Sequence, residues 1–211
     1  MKIFDLTHPI QSGMPVFPGT ESPEILTACT VEEHGFLEKK INMYSHTGTH
    51  IDAPAHMLAD GFTLDQFSVE KFIGRACIYR HTTRSTRIAI EHLQDLTDQL
   101  HAADFLLIGT GWDRYWGQPE YFADFPVLDS ATAKWLLQFQ LKGIGLDVIS
   151  ADAMDSQEFP VHFTLLGHGL VIIENLTNIT MLPDGICSFQ CFPLKLRDAD
   201  GSPVRAVVIV E

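Results

Sequence analysis

The stretch His46-Thr47-Gly48-Thr49-His50-Ile51-Asp52-Ala53-Pro54-Ala55-His56 carries four side chains able to bind a metal, His46, His50, Asp52 and His56, all of one parity along the chain. In an extended backbone these four point to one side, and Thr47, Thr49, Ile51, Ala53 and Ala55 to the other. A helix is the poorer reading, because Gly48 and Pro54 interrupt it and Thr47, Thr49 and Ile51 are weak helix formers. A flat strand has its own difficulty: at about 3.3 Å per residue, His46 and His50 would stand roughly 13 Å apart. Two imidazoles on one ion need nitrogen–metal bonds of about 2.0–2.1 Å, so the backbone has to bend between them. Gly48 can make that bend, and Pro54 can fix a turn that brings His56 back over the site. Two imidazoles and a carboxylate suit zinc, manganese or iron, and three protein ligands leave a position open, which implies catalysis.

Outward from this stretch, short apolar runs bounded by Gly, Pro or Asp predict strands at residues 3–6, 40–44, 76–79, 105–108, 143–148, 170–173 and 204–210. Apolar residues on a helical period predict helices at 88–101 and 130–141, with a shorter one at 161–166 after Pro160. The result is an α/β chain, with a mixed sheet, a few helices and one domain over 1–211. Residues 9–23 and the aromatic stretch 109–125 read as surface loops, the kind of segment that often carries function.

A second group of donors lies downstream. Glu174 ends the run Leu170-Val171-Ile172-Ile173, where a carboxylate at the end of a buried strand needs a compensating partner such as a metal. His162 and His168 are both near enough in sequence to supply an imidazole, and spacing does not choose between them. Asp147 and Asp152 read as turn or cap residues ahead of supports for a metal ligand.

Composition narrows the function classes. With 27 acidic residues against 14 basic ones and a formal net charge of −13, the chain repels polyanions, which argues against nucleic acid. The N-terminus meets Asp5 and then prolines before any apolar run long enough for a signal peptide or membrane span, so the expectation is a cytoplasmic protein with no membrane partner. Cys29, Cys77, Cys187 and Cys191 are too sparse for a disulfide scaffold or a zinc knuckle and read as reduced thiols in or near the core.

The run His46-x-Gly48-Thr49-His50-x-Asp52-x-Pro54-x-His56 resembles the signature of the putative cyclase family, which includes bacterial kynurenine formamidases and isatin hydrolases. The resemblance extends to Asp5-Leu6-Thr7, Gly13-Met14-Pro15-Val16-Phe17-Pro18-Gly19, Thr110-Gly111-Trp112, the segment from Gly145 to Asp152, and Ile173-Glu174-Asn175-Leu176. It implies a swivelling β/β/α domain assembled as a homodimer or homotetramer. It also implies that His46, His50 and Asp52 hold one metal, that Asp52 bridges to a second held by His162 and Glu174, and that His56 is the acid/base. The expected cofactor is a divalent ion, Zn2+ first and Mn2+ second, at one or two per subunit. The expected reaction is hydrolysis of a small amide, an aryl formamide such as N-formylkynurenine in first place, with Phe17, Pro18 and Trp112 as substrate contacts. A cyclic-amide hydrolase of the isatin type, a metal-dependent lyase and a non-catalytic metal-binding protein are the competing readings. No Gly-x-Ser-x-Gly elbow is present, which argues against a serine nucleophile.

Overall fold

In the computed structural model, which describes residues 1–210, the strands in chain order are β1 (Lys2–Asp5), β2 (Glu24–Cys29), β3 (Glu38–Asn42), β4 (His50–Asp52), β5 (Ile73–Arg80), β6 (Arg87–Ile88), β7 (Phe105–Gly109), β8 (Val127–Leu128), β9 (Gly143–Leu146), β10 (Val171–Glu174), β11 (Ile186–Pro193) and β12 (Gly201–Val210). Eight of them form one mixed sheet in the order β1-β12-β11-β5-β7-β9-β10-β4. Because β12 also pairs with β4, the sheet closes on itself.

The parallel strands β5, β7, β9 and β10 are covered on both faces, which is why residues 105–108 and 171–173 are continuous apolar runs and not alternating ones. Inside the closed sheet, Ile51, Phe105, Leu107, Ile173, Phe189 and Val208 form one core. Outside it, Leu106, Ile108, Ile144 and Ile172 pack against Leu93, Leu100, Leu136 and Leu165 from the flanking helices. Each such side chain contributes about 1.5–3 kcal/mol by leaving water.

The helices are α1 (Val31–His34), α2 (Ile90–Leu93), α3 (Thr97–Ala102), α4 (Ser130–Leu136) and α5 (Pro160–Leu166). The helix expected over 88–101 is broken. Arg87 and Ile88 pair with β8, and a 3-10 turn at Gln94–Leu96, where the Thr97 hydroxyl donates to the Gln94 carbonyl at 2.6 Å, separates α2 from α3. The helix expected over 130–141 stops at Leu136 and relaxes into tighter turns, so that Lys142 N–H reaches the Asp104 carbonyl at 2.6 Å. The strand expected at 40–44 lies two residues earlier, in β3, paired with β2 in a mostly exposed arm. The four cysteines are free, three of them buried, as expected of reduced thiols. Among the described residues no helix is long and apolar enough to cross a membrane.

Candidate metal centre

Strand β4 lies between β10 and β12, and that placement assembles the site. Its register sets His50 opposite Glu174 on one side and Asp52 opposite Gly201 on the other. Directly paired residues share a face of the sheet, so His50, Asp52 and Glu174 stand together while Ile51 turns into the inner core. Upstream, Gly48 takes a left-handed φ of +66°, and the chain bends as its sequence suggests. The bend brings the His46 and His50 rings to 5.1 Å between centroids, with His46 Nδ1 2.6 Å from Asp52 Oδ1. Downstream, Pro54–His56 forms a 3-10 turn that sets the His56 ring 4.0 Å from that of His46.

Three overlapping donor sets result. His46, His50 and Asp52 form the first; Asp52, His162 and Glu174 the second; His46, His56 and Asp200 the third. Asp52 Oδ1 lies 3.2 Å from His50 Nε2, and Asp52 Oδ2 lies 3.9 Å from His162 Nε2, so its two oxygens face different sets. His162 Nε2 and Glu174 Oε1 are 3.3 Å apart. His168 is elsewhere: it is exposed at the end of α5 and donates to the Thr164 carbonyl at 2.8 Å.

A divalent cation fits these residues on one specific observation. Asp52 Oδ2 is fully buried and has no hydrogen-bond partner, although a buried carboxylate oxygen left unpaired is costly. The donor chemistry agrees, since the facing nitrogens are the ones their rings leave free. His50 Nδ1 donates to the Gly48 carbonyl at 2.8 Å and His162 Nδ1 lies 2.7 Å from Asp152 Oδ2, which leaves each Nε2 lone pair toward the carboxylates.

The electrostatics favour positive charge. Burial opposes protonation of His46, but Asp52 and Asp200 outweigh it and push this imidazole up to about 10. Burial likewise opposes protonation of His162, yet the carboxylates of Asp152, Glu174 and Asp52 around it raise it to about 10. Burial also works against ionising Asp52, but His50 and His46 hold its carboxyl well below the usual range. His56 behaves differently, because burial dominates and lowers it.

Asp147 does not cap its own turn as expected but holds a distant one, accepting from Thr110 N–H and Oγ1 and from Gly111 N–H at 2.7–2.9 Å. Asp152 combines both readings: it accepts from Val161 and His162 N–H at the start of α5 and also orients the His162 ring. A cavity of about 440 Å³, within the usual range for small-molecule sites, opens over the donors. Phe17 lines it, together with Val16, Met57, Ile149 and Phe159. Pro18 and Trp112 do not line it, against expectation. The loop carrying Trp112 is drawn down by Asp147, and its indole packs on Tyr115, with centroids 5.0 Å apart, and on the helical core. Asp200 and Asn175 line the cavity too. Asn175 receives the Tyr121 hydroxyl at 2.7 Å and donates to the Gly48 carbonyl at 2.9 Å, which steadies the bend.

Comparison with known proteins finds relatives along nearly the whole chain. The model of the putative cyclase family matches residues 4–153. The chain is 32% identical to a kynurenine formamidase of Bacillus cytotoxicus over 206 residues, covering 97% of this chain and 95% of the other. A solved structure described as a potential metal-dependent hydrolase with cyclase activity superposes with a TM-score of 0.83 at 30% identity, covering 98% of this chain and 96% of that one. An isatin hydrolase bound to the product analogue thioisatinate superposes with a TM-score of 0.89 at 21% identity, over 99% and 92% of the two chains, a likeness of fold. With matches along nearly its whole length, the chain belongs to the putative cyclase family.

Proposed function

We infer that this chain is a metal-dependent hydrolase of small amides, with an aryl formamide such as N-formylkynurenine as its first substrate and kynurenine and formate as products. The observation that carries this reading is the pair of donor sets joined by Asp52, whose Oδ2 has no protein partner, with His56 beside them in the cavity. The kynurenine formamidase relative supports the substrate class. In this reading His46, His50 and Asp52 hold one ion and Asp52, His162 and Glu174 the other; Zn2+ is the first choice and Mn2+ the second. Residues 1–211 act as one domain, in a cytoplasmic homodimer or homotetramer with no nucleic-acid or membrane partner.

A bound dication supplies Lewis acidity toward the carbonyl oxygen and lowers the pKa of water toward about 7. The protein does the rest. His56, which is not needed as a ligand, takes a proton from the attacking water as its oxygen bonds to the formyl carbon. It returns that proton to the aryl nitrogen as the C–N bond breaks, a role usually worth about 10²–10⁴ in rate. The closed sheet around β4 keeps His50, Asp52 and Glu174 in register during these steps, and Phe17, Met57 and Phe159 present apolar surface to an aromatic ring.

One observation favours a second reading, a cyclic amide of the isatin type. Among the described residues the cavity has no Lys or Arg in its lining to pair with an amino-acid carboxylate. The test is turnover of N-formylkynurenine and of isatin by protein reconstituted with zinc or manganese, beside chelator-stripped protein. Metal-restored release of kynurenine supports the first reading. Metal-restored opening of isatin alone transfers the assignment to the second, and turnover that survives stripping overturns both.

A further inference from the structure

Each of the three candidate imidazole ligands has its other ring nitrogen engaged. His50 Nδ1 has the Gly48 carbonyl, His162 Nδ1 has Asp152, and His46 Nε2 has Asp200 Oδ2 at 2.9 Å. The first two anchors are sealed inside the protein, whereas the Asp200 side chain is 45% exposed and lines the cavity. Its Oδ2 also faces His56 Nδ1 at 3.6 Å. One oxygen therefore stands between the candidate ligand His46 and the candidate acid/base His56.

The place of Asp200 is built from several directions. The Ser45 hydroxyl donates to Oδ1 at 3.0 Å, and Ala53 N–H donates to the Asp200 carbonyl at 2.8 Å, tying the residue to the end of β4. The next residue, Gly201, leaves room for the His46 ring, since a Cβ there would lie 2.5 Å from His46 Cε1. The Ser45 hydrogen bond and the space left at Gly201 hold the Asp200 carboxylate and the His46 imidazole against each other.

We propose that Asp200 is a positioning residue for the hydrolysis, with a single carboxylate oxygen that fixes the Nε2–H tautomer of His46 and receives Nδ1–H of His56 as protons move. It rests on the reading of His46 as a ligand and His56 as the acid/base. Behind His46 it keeps the Nδ1 lone pair toward Asp52, since a carboxylate on the far nitrogen orients a ligating imidazole and raises its basicity. Behind His56 it orients the ring, as a carboxylate does in a catalytic triad, and a contact of 3.6 Å tightens once the imidazole carries a proton.

The test has two readouts. Zinc affinity is measured by competition with a chromophoric chelator for the unmodified protein, His46→Ala, Asp200→Ala and the isosteric Asp200→Asn. Turnover at saturating zinc is then measured for Asp200→Ala, His56→Ala and the double variant. The expected result is about 10–100-fold weaker zinc binding for Asp200→Ala, with a smaller loss for Asp200→Asn. At saturating zinc Asp200→Ala lowers kcat with KM unchanged, and this loss disappears in the His56→Ala background. Unaltered zinc binding in both Asp200 variants, or an equal kcat loss in both backgrounds, overturns the proposal. If His46→Ala binds zinc as the unmodified protein does, the reading of the centre itself has failed, whatever the Asp200 variants show.

Discussion

The inner and outer halves of the centre are held in different ways. Asp52, His162 and Glu174 expose only 1%, 6% and 6% of their side chains, whereas His46, His56 and Asp200 expose 22%, 31% and 45%. Two carboxylates and an imidazole cannot sit this deep unless charge is balanced among them, and a cation bound there would supply that balance. The outer half meets solvent and the cavity, where protons and substrate can be exchanged. Burial sets the geometry on one side, and access permits chemistry on the other.

The largest expected effect comes from the residue that belongs to both halves. Asp52→Ala removes a donor from each set, so metal content measured by elemental analysis is expected to fall to background and turnover to fall with it. His56→Ala tests the outer half alone: it keeps its metal and loses about 10²–10⁴ in kcat. Should His56→Ala emerge metal-free while Asp52→Ala remains loaded, the division between holding and reacting is reversed. A smaller effect is expected from Asp152→Asn, which keeps an acceptor for the first turn of α5 but removes the charge behind His162. Metal affinity at the inner set then weakens by about 10–100-fold, read by chelator competition, with little change in melting temperature. An unchanged affinity would reduce Asp152 to a helix cap.

The same division decides what could be read from the sequence. His46, His50, Asp52 and His56 were legible because parity, a glycine and a proline all act within eleven consecutive residues. The inner donors depend on pairing across long separations. His162 and His168 are equivalent by spacing, and what separates them is α5, whose first turn Asp152 ties beneath the cavity while its far end faces solvent. Asp200 carried no signal at all, since only the β4–β12 register brings it beside His46. Strand β11 has a weak strand signal because Cys187, Phe189 and Cys191 alternate inward with Ser188 and Gln190 between them, a pattern poor in β-branched residues. Strand β2 is mostly exposed and shows no apolar alternation. Trp112 looked like a substrate contact because an aromatic loop often is one; the buried Asp147 that draws its loop toward the core is recognisable only in three dimensions.

The smallest effect sharpens the comparison most, because it separates the bend from the ligands. Gly48 supplies no donor side chain, yet its carbonyl anchors both His50 Nδ1 and Asn175 Nδ2. With φ at +66°, an alanine there adopts a left-handed conformation at a cost of about 1–2 kcal/mol, and its Cβ meets Met14 Cε at 3.0 Å. In a chain of this size each kcal/mol lowers the melting temperature by roughly 2–4 °C. If Gly48 serves only the fold, Gly48→Ala melts lower with and without metal by the same amount, and zinc affinity is unchanged. If the bend aims His46 and His50 at one ion, the stripped protein loses only the strain, whereas the zinc-loaded protein loses more because its ligands no longer converge. The second result is expected, because straightening the bend toward a flat strand would carry His46 and His50 from 5.1 Å between rings toward the roughly 13 Å of an extended chain.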